Sequence, residues 1–272
     1  MRGEKFRDHV VLITGASSGI GAALARELAR EGAKLVLVAR RRERLDSLSG
    51  ELTARGTQVV VHAGDVTRRA DLDAGVALAV AHYGRLDMAV ANAGFGVVGP
   101  VEKLGVADYR RQFDTNVFGV LETIHAALPE LRKTRGRLVL IGSVAGYISA
   151  PGSSPYSMSK FAIRALAEAL GPELRLQGIA VTLISPGFVA SEIRQVDNRG
   201  VHHEFAKEPL PAWLVMPAEV AARKIVTAAY RRRREAIITA HGNALVWIQR
   251  YAPWVLRFAA RRGVRARSEP RR

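Results

Sequence analysis

The apolar run Val10-Val11-Leu12-Ile13 leads into the turn Thr14-Gly15-Ala16-Ser17-Ser18-Gly19-Ile20-Gly21, and the turn opens onto Ala22-Ala23-Leu24-Ala25-Arg26-Glu27-Leu28-Ala29. The first run suits a buried parallel strand, and the last is made of strong helix formers. A strand, a glycine-rich turn and a helix in that order leave few alternatives. The glycines admit close backbone approach, and the helix start offers unpaired N–H groups and the positive end of a dipole, which together suit the pyrophosphate of a dinucleotide. Three residues separate Gly15 from Gly19, a departure from the commoner G-x-G-x-x-G spacing.

Strand-like runs then recur at Lys34 to Ala39, Gln58 to His62, Met88 to Asn92, Arg137 to Ile141, Ala180 to Ile184 and Ala236 to Thr239, with helix-like segments between them. That alternation predicts an α/β fold, a single Rossmann-type domain whose doubly wound parallel sheet carries helices on both faces. A chain of 272 residues is ample for one large core. No linker, low-complexity stretch or internal repeat divides it; residues 1–242 read as one domain and 243–272 as a basic amphipathic extension. The polar start Met1 to His9 holds no apolar signal segment, so folding in the cytosol is expected. With no cysteine, disulfides and cysteine-based zinc sites are excluded, and no metal site is expected. No apolar run reaches the roughly 20 residues of a membrane-spanning helix.

Tyr156 and Lys160 stand four apart, thirteen or more residues after Ser143. On a helix that spacing puts both side chains on one face, where the lysine ammonium favours the phenolate and lowers the pKa of the phenol. Tyrosine then serves as a proton donor and acceptor near neutral pH, as hydride transfer to a carbonyl requires.

These residues, with Thr14 to Gly21, Asp65-Val66, Asn92-Ala93-Gly94, Asn116 and Pro186-Gly187, resemble the short-chain dehydrogenase/reductase family, whose marks are a T-G-x-x-x-G-x-G turn and an Asn-Ser-Tyr-Lys tetrad. The resemblance covers nearly the whole chain. It implies a catalytic set of Asn116, Ser143, Tyr156 and Lys160: Ser143 orients the substrate oxygen, Tyr156 exchanges its proton, Lys160 also holds the nicotinamide ribose, and Asn116 supports a water leading from Lys160 to solvent. It further implies that Gly15, Ser17, Ser18, Gly19, Ile20, Gly21, Asp65, Val66, Asn92, Ala93, Gly94, Pro186, Gly187, Val189 and Ser191 contact the cofactor. Asp65 and Val66 would meet the adenine, and Ser191 replaces the family's threonine while keeping a hydroxyl. Plainer readings stand beside these: a helix N-cap for Asp65, a strand-ending turn for Asn92 to Gly94 and for Ser143, and a helix-surface amide for Asn116.

The choice of cofactor rests on the end of the second strand. Ala39 stands where the family's NAD enzymes carry an acid for the ribose 2′-hydroxyl, and Arg40, which follows it, suits a 2′-phosphate, so NADP(H) is expected. Arg41, Arg42 and Arg44 read as the solvated start of a helix. Residues 188–217 read as a lid with an apolar underside around Phe205, Leu210, Trp213, Leu214 and Val215; Trp213 is expected to pack it, and His202 and His203 to be exposed loop histidines. A lipophilic ketone, aldehyde or alcohol is the expected small-molecule substrate, and the resemblance implies a homo-oligomer formed through the helix at about Tyr156 to Gln177. The alternative in another class is a non-catalytic NADP-binding redox sensor, against which the full tetrad argues.

Residues 223–272 hold 14 Arg or Lys against 2 Glu, so most of the chain's +16 lies in its last fifth. Leu245 to Ile248, Tyr251, Trp254 to Leu256 and Phe258 alternate there with Arg250, Arg257, Arg261 and Arg262, and Pro253 breaks or starts a helix. Two readings stand: amphipathic helices on an anionic membrane surface, which would make the protein peripheral to it, or an aromatic face that covers the core or a dimer partner. Arg261 to Arg272 is expected to be disordered. Nothing resembles a recognition helix, so no specific nucleic acid is expected.

Overall fold

The computed structural model describes residues 4–195, 197–198 and 210–268. Seven parallel strands form one sheet: β1 (Val10–Thr14), β2 (Lys34–Ala39), β3 (Val59–Ala63), β4 (Met88–Ala91), β5 (Arg137–Ile141), β6 (Ala180–Ser185) and β7 (Glu235–Ile237). Their order is β3-β2-β1-β4-β5-β6-β7. The connecting helices are α1 (Gly19–Arg30), α2 (Arg42–Thr53), α3 (Arg69–Tyr83), α4 (Val106–Phe113), α5 (Gly119–Thr134), α6 (Ser154–Arg175) and α7 (Ala218–Tyr230), followed by α8 (Ala240–Tyr251) and α9 (Pro253–Ser268).

Both faces of the sheet are covered, which is why its central strands read as continuous apolar runs instead of alternating ones. Val11, Ile13, Leu35 and Leu37 point to one face, where they meet Leu24 and Leu28 of α1 and Ile225 of α7. Val10, Leu12, Val36 and Val38 point to the other and meet Leu72 and Val76 of α3, Ile124 of α5 and Ile163 of α6. The strand order turns back between β1 and β4, opening a crevice at their carboxyl ends, the place where ligands bind in such sheets.

All seven expected strands are present. β3 lies one residue later than its sequence run, and β7 is Glu235–Ile237 instead of Ala236 to Thr239, because Thr239 leaves the sheet to cap α8: its Oγ1 accepts from the amide of Gly242 at 3.2 Å. α8 therefore crosses the boundary drawn at residue 242. α9 ends at Ser268. The proline at the first helical position fixes φ for helix initiation, and the alanines and arginines that follow favour continuation. Residues 269–272 lie outside the described residues.

Candidate active site

The turn after β1 is shaped by what its glycines lack. Gly15 has a φ of +65°, and a Cβ on Gly21 would stand 2.2 Å from the carbonyl oxygen of Gly15 and 2.7 Å from Nδ2 of Asn92. Asn92 secures the turn from the end of β4: its amide donates to the carbonyls of Thr14 at 2.9 Å and Gly15 at 3.2 Å. Thr14 Oγ1 in turn accepts from the backbone amides of Asn92 and Ala93. Ser18 precedes α1 but caps none of its amides, so the first-turn N–H groups have no side-chain cap. Ile20 leans on the core.

Arg41 holds the hydroxyls of that turn. It donates to Ser18 Oγ at 2.8 Å and Ser17 Oγ at 3.2 Å, and it pairs with Glu192 at 2.9 Å. Arg44 pairs with the same carboxylate. Burial raises the Glu192 pKa, but hydrogen bonds from Arg44 and Arg41 outweigh it and hold the carboxyl below its usual value. The solvated reading of Arg41 and Arg44 is thus corrected, whereas Arg42 pairs only with Asp46 on the surface of its own helix.

Arg40 is exposed and lines an open cleft of about 410 Å³ with Ala63, Gly64, Asp65 and Arg68. Asp65 does not cap α3, whose cap position is Arg68; its Oδ1 accepts from the amide and hydroxyl of Thr67, both at 2.9 Å. Val66 is buried, and a Cβ on Gly119 at the start of α5 would lie 2.7 Å from it.

Asn116, Ser143, Tyr156 and Lys160 stand beyond the ends of β4 and β5. Asn116 is 1% exposed and sits in a π-helical turn, Asp114–Phe118, inserted between α4 and α5; such turns often mark functional sites. Its Oδ1 accepts from the amide of Phe95 at 3.1 Å, while Nδ2 donates to the Phe95 carbonyl at 3.0 Å and faces Ser159 Oγ at 3.4 Å. The surface-amide reading is therefore set aside. Gln112, which the sequence reading missed, is fully buried and braces the same loop through the carbonyl of Phe95 and the amide of Val97. The Tyr156 ring lies against Gly96, where a Cβ would be 3.6 Å from it. Ser143 follows β5, and its Oγ accepts from the amide of Ala145 at 3.1 Å.

Lys160 lies one helical turn after Tyr156, with its Nζ 5.7 Å from the ring centroid, and donates to the carbonyl of Ile141 at 2.9 Å. Burial lowers its pKa from 10.5 to about 8. Between those values the unfolded chain keeps a proton that the folded chain releases, so stability rises with pH across that window, and below pH 8 the full cost of the buried charge is present. Denaturant midpoints are expected to show a gain on the order of 3 kcal/mol from pH 8 to pH 10.5, absent in Lys160→Met.

The segment after β6 touches the glycine turn and the start of α8. The Pro186 carbonyl accepts from the amide of Val144, and a Cβ on Gly187 would stand 2.2 Å from His241 Nε2. Val189 is buried and bridges to Met216, while Ser191 rests on the glycine turn, 3.0 Å from where a Cβ on Gly19 would be. Gly94 likewise needs room, since a Cβ there would meet Asn116 Oδ1 at 3.1 Å. Asn198, in the described part of the 188–217 segment, accepts from the amide of Val98 at 3.0 Å and donates to its carbonyl at 2.8 Å. Trp213 is 83% exposed and does not pack the lid as expected; it sits on a three-residue 3₁₀ turn, Ala212–Leu214, that has no buried residue. His202, His203 and Phe205 lie outside the described residues.

A profile of the short chain dehydrogenase family matches residues 9–201. A curated relative, 11-beta-hydroxysteroid dehydrogenase A of Sesamum indicum, is 35% identical over 93% of this chain and 74% of its own length. Among solved structures, a short chain dehydrogenase/reductase of Burkholderia phymatum in complex with NAD superposes with a TM-score of 0.82 at 26% identity, over 93% of this chain and 96% of that one. An alcohol dehydrogenase of Thermococcus sibiricus complexed with 5-hydroxy-NADP gives 0.73 at 28% identity, over 84% and 95%.

Proposed function

This chain belongs to the short-chain dehydrogenase/reductase family, and from that premise we propose that it is an NADP(H)-dependent oxidoreductase interconverting a lipophilic ketone or aldehyde with its alcohol. The observation that carries the reading is the arrangement of Lys160 behind Tyr156, anchored on the carbonyl two residues before Ser143. The residues present fit a dinucleotide: the turn tolerates no Cβ at Gly21, the first amides of α1 have no side-chain cap, and Arg40 and Asp65 line a common cleft. NADP is favoured by Ala39 and Arg40, since no acid is present there to accept from a 2′-hydroxyl.

The bound nicotinamide supplies the hydride; the chain positions and protonates. Ser143 orients the substrate oxygen and Tyr156 gives it a proton, with the buried ammonium of Lys160 stabilising the phenolate left behind. Asn116 fixes the Phe95 backbone beside the tyrosine. The partners of this reading are a small carbonyl or alcohol, an anionic membrane surface for the extension, and a second copy of the chain through α6, on which Met158 and Phe161 are 49% and 41% exposed. Its location is cytosolic, peripheral to the membrane.

The test is NADPH oxidation against a panel of lipophilic ketones. Cofactor binding without turnover of any carbonyl or alcohol would favour the redox-sensor alternative. Glu192 supplies a second check, because the Glu192–Arg41–Ser17/Ser18 chain spans the turn on which the pyrophosphate would lie. Two partly exposed ion pairs are worth about 0.3–0.7 kcal/mol each, so Glu192→Gln is expected to speed release of NADPH and NADH alike by about three- to tenfold in stopped-flow fluorescence.

A further inference from the structure

Among the described side chains, α8 and α9 bring almost nothing to the core: the buried apolar residues end at Ile238, and α8 buries only Gly242. Trp247, Tyr251, Trp254 and Phe258 are instead 61%, 63%, 70% and 54% exposed. Trp247 and Tyr251 stand four residues apart with ring centroids 5.3 Å from each other, and Trp254 and Phe258 repeat the four-residue interval on α9. Of the two readings of this aromatic face, the one in which it covers the chain's own core is therefore excluded.

Charge selects among the remaining occupants. Residues 240–268 carry six arginines and no Asp or Glu, and Arg250, Arg257 and Arg261 are exposed beside the rings. A second copy laid on this face would set arginines against arginines with no acid between them. An anionic bilayer meets both features, since aromatic rings settle at the headgroup level and each basic side chain near the surface adds about 1 kcal/mol. Among the described residues no helix is long and apolar enough to cross a membrane, so the contact is interfacial.

The root of these helices lies on the rim of the active site. A Cβ on Gly242 would meet the Val144 side chain at 2.8 Å, next to Ser143. His241 Nε2 accepts from the amide of Phe188 at 3.0 Å, and their rings stack with centroids 5.3 Å apart. We propose that α8 and α9 dock the protein on an anionic membrane surface and hold the Phe188 rim against it, so that the substrate is a lipophilic carbonyl or alcohol drawn from the lipid phase. The delivery half of this proposal rests on the reading of Tyr156 as the catalytic acid; the docking half stands without it.

Flotation of the full chain with phosphatidylcholine vesicles, with and without phosphatidylglycerol, tests the docking. The protein is expected to float only with the anionic vesicles. The double variant Trp247→Ser, Trp254→Ser is expected to lose about tenfold or more in partition while keeping its circular dichroism spectrum and its turnover of a water-soluble carbonyl. Failure of the wild-type protein to float, or equal flotation of the variant, overturns the docking, as does a dimer in solution that the double substitution dissolves while vesicle binding is absent. The delivery half is read by comparing a vesicle-borne ketone with a water-soluble one: turnover of the former alone should fall in the variant, and equal turnover in both proteins overturns it. Flotation without turnover of any carbonyl would overturn the oxidoreductase reading and the delivery half, and leave the docking standing.

Discussion

Tyr156→Phe is expected to lower kcat for carbonyl reduction by about 10³-fold, within the span general acid catalysis contributes, while NADPH binds as before. The ring keeps its seat against Gly96, and the four-residue spacing to Lys160 is unchanged, so the variant removes a hydroxyl without opening a cavity. Lys160 is poorly placed to substitute, because its Nζ is buried and donates to the carbonyl of Ile141. Single-turnover kinetics with a fluorescence titration of NADPH separates the two effects. Turnover within tenfold of wild type would remove Tyr156 from the chemistry, and loss of cofactor binding would make its role structural. The pH profile gives an independent reading: kcat/KM for reduction by the free enzyme should decline above about pH 8, as Lys160 loses the charge that supports the phenolate.

The parts of the site legible in the sequence are those whose geometry is local. The run from Thr14 to Gly21 is one turn, and Tyr156 and Lys160 share one helical face, so spacing alone brings each set together. The parallel sheet was legible because strands buried on both faces are spelled as apolar runs. Glu192 and Arg41 meet across 151 residues of chain, and no periodicity marks an acid on a loop as the partner of an arginine at a helix start. Gln112 is hidden for a related reason: its helix reads as polar, and its burial follows from the loop at Phe95 to Val97 folding down onto it. Nothing in Asp114-Thr115-Asn116-Val117-Phe118 announces a π-helical turn, since the register is set by the amide of Asn116 reaching Phe95. The extension was ambiguous because an aromatic face at helical spacing has one pattern whether it meets a core or a membrane. Exposure, a tertiary property, shows that the rings do not meet the core.

Arg40→Asp is expected to reverse the preference between NADPH and NADH by about 10²-fold or more, through loss of a charge-assisted hydrogen bond worth about 1.5–3 kcal/mol and the repulsion of a new carboxylate from a 2′-phosphate. The fold leaves the choice open, since one similar structure holds NAD and another an NADP analogue. The proposed reading puts the decision at the end of β2, where Ala39 is 7% exposed and has no side-chain acceptor, and Arg40 lines the cleft shared with Gly64, Asp65 and Arg68. Arg68, whose guanidinium pairs with Asp71, is a second arginine on that cleft, so the single variant should retain weak NADPH binding that Arg68→Ala then removes. Arg41 is already committed to Ser17, Ser18 and Glu192, and replacing it should weaken both cofactors together. Parallel titrations of the two cofactors into wild type and Arg40→Asp decide the matter. A wild-type protein that binds NADH as tightly as NADPH, or a variant that loses both equally, would show that Arg40 does not read the 2′-position and would turn the search toward alcohol oxidation with NAD.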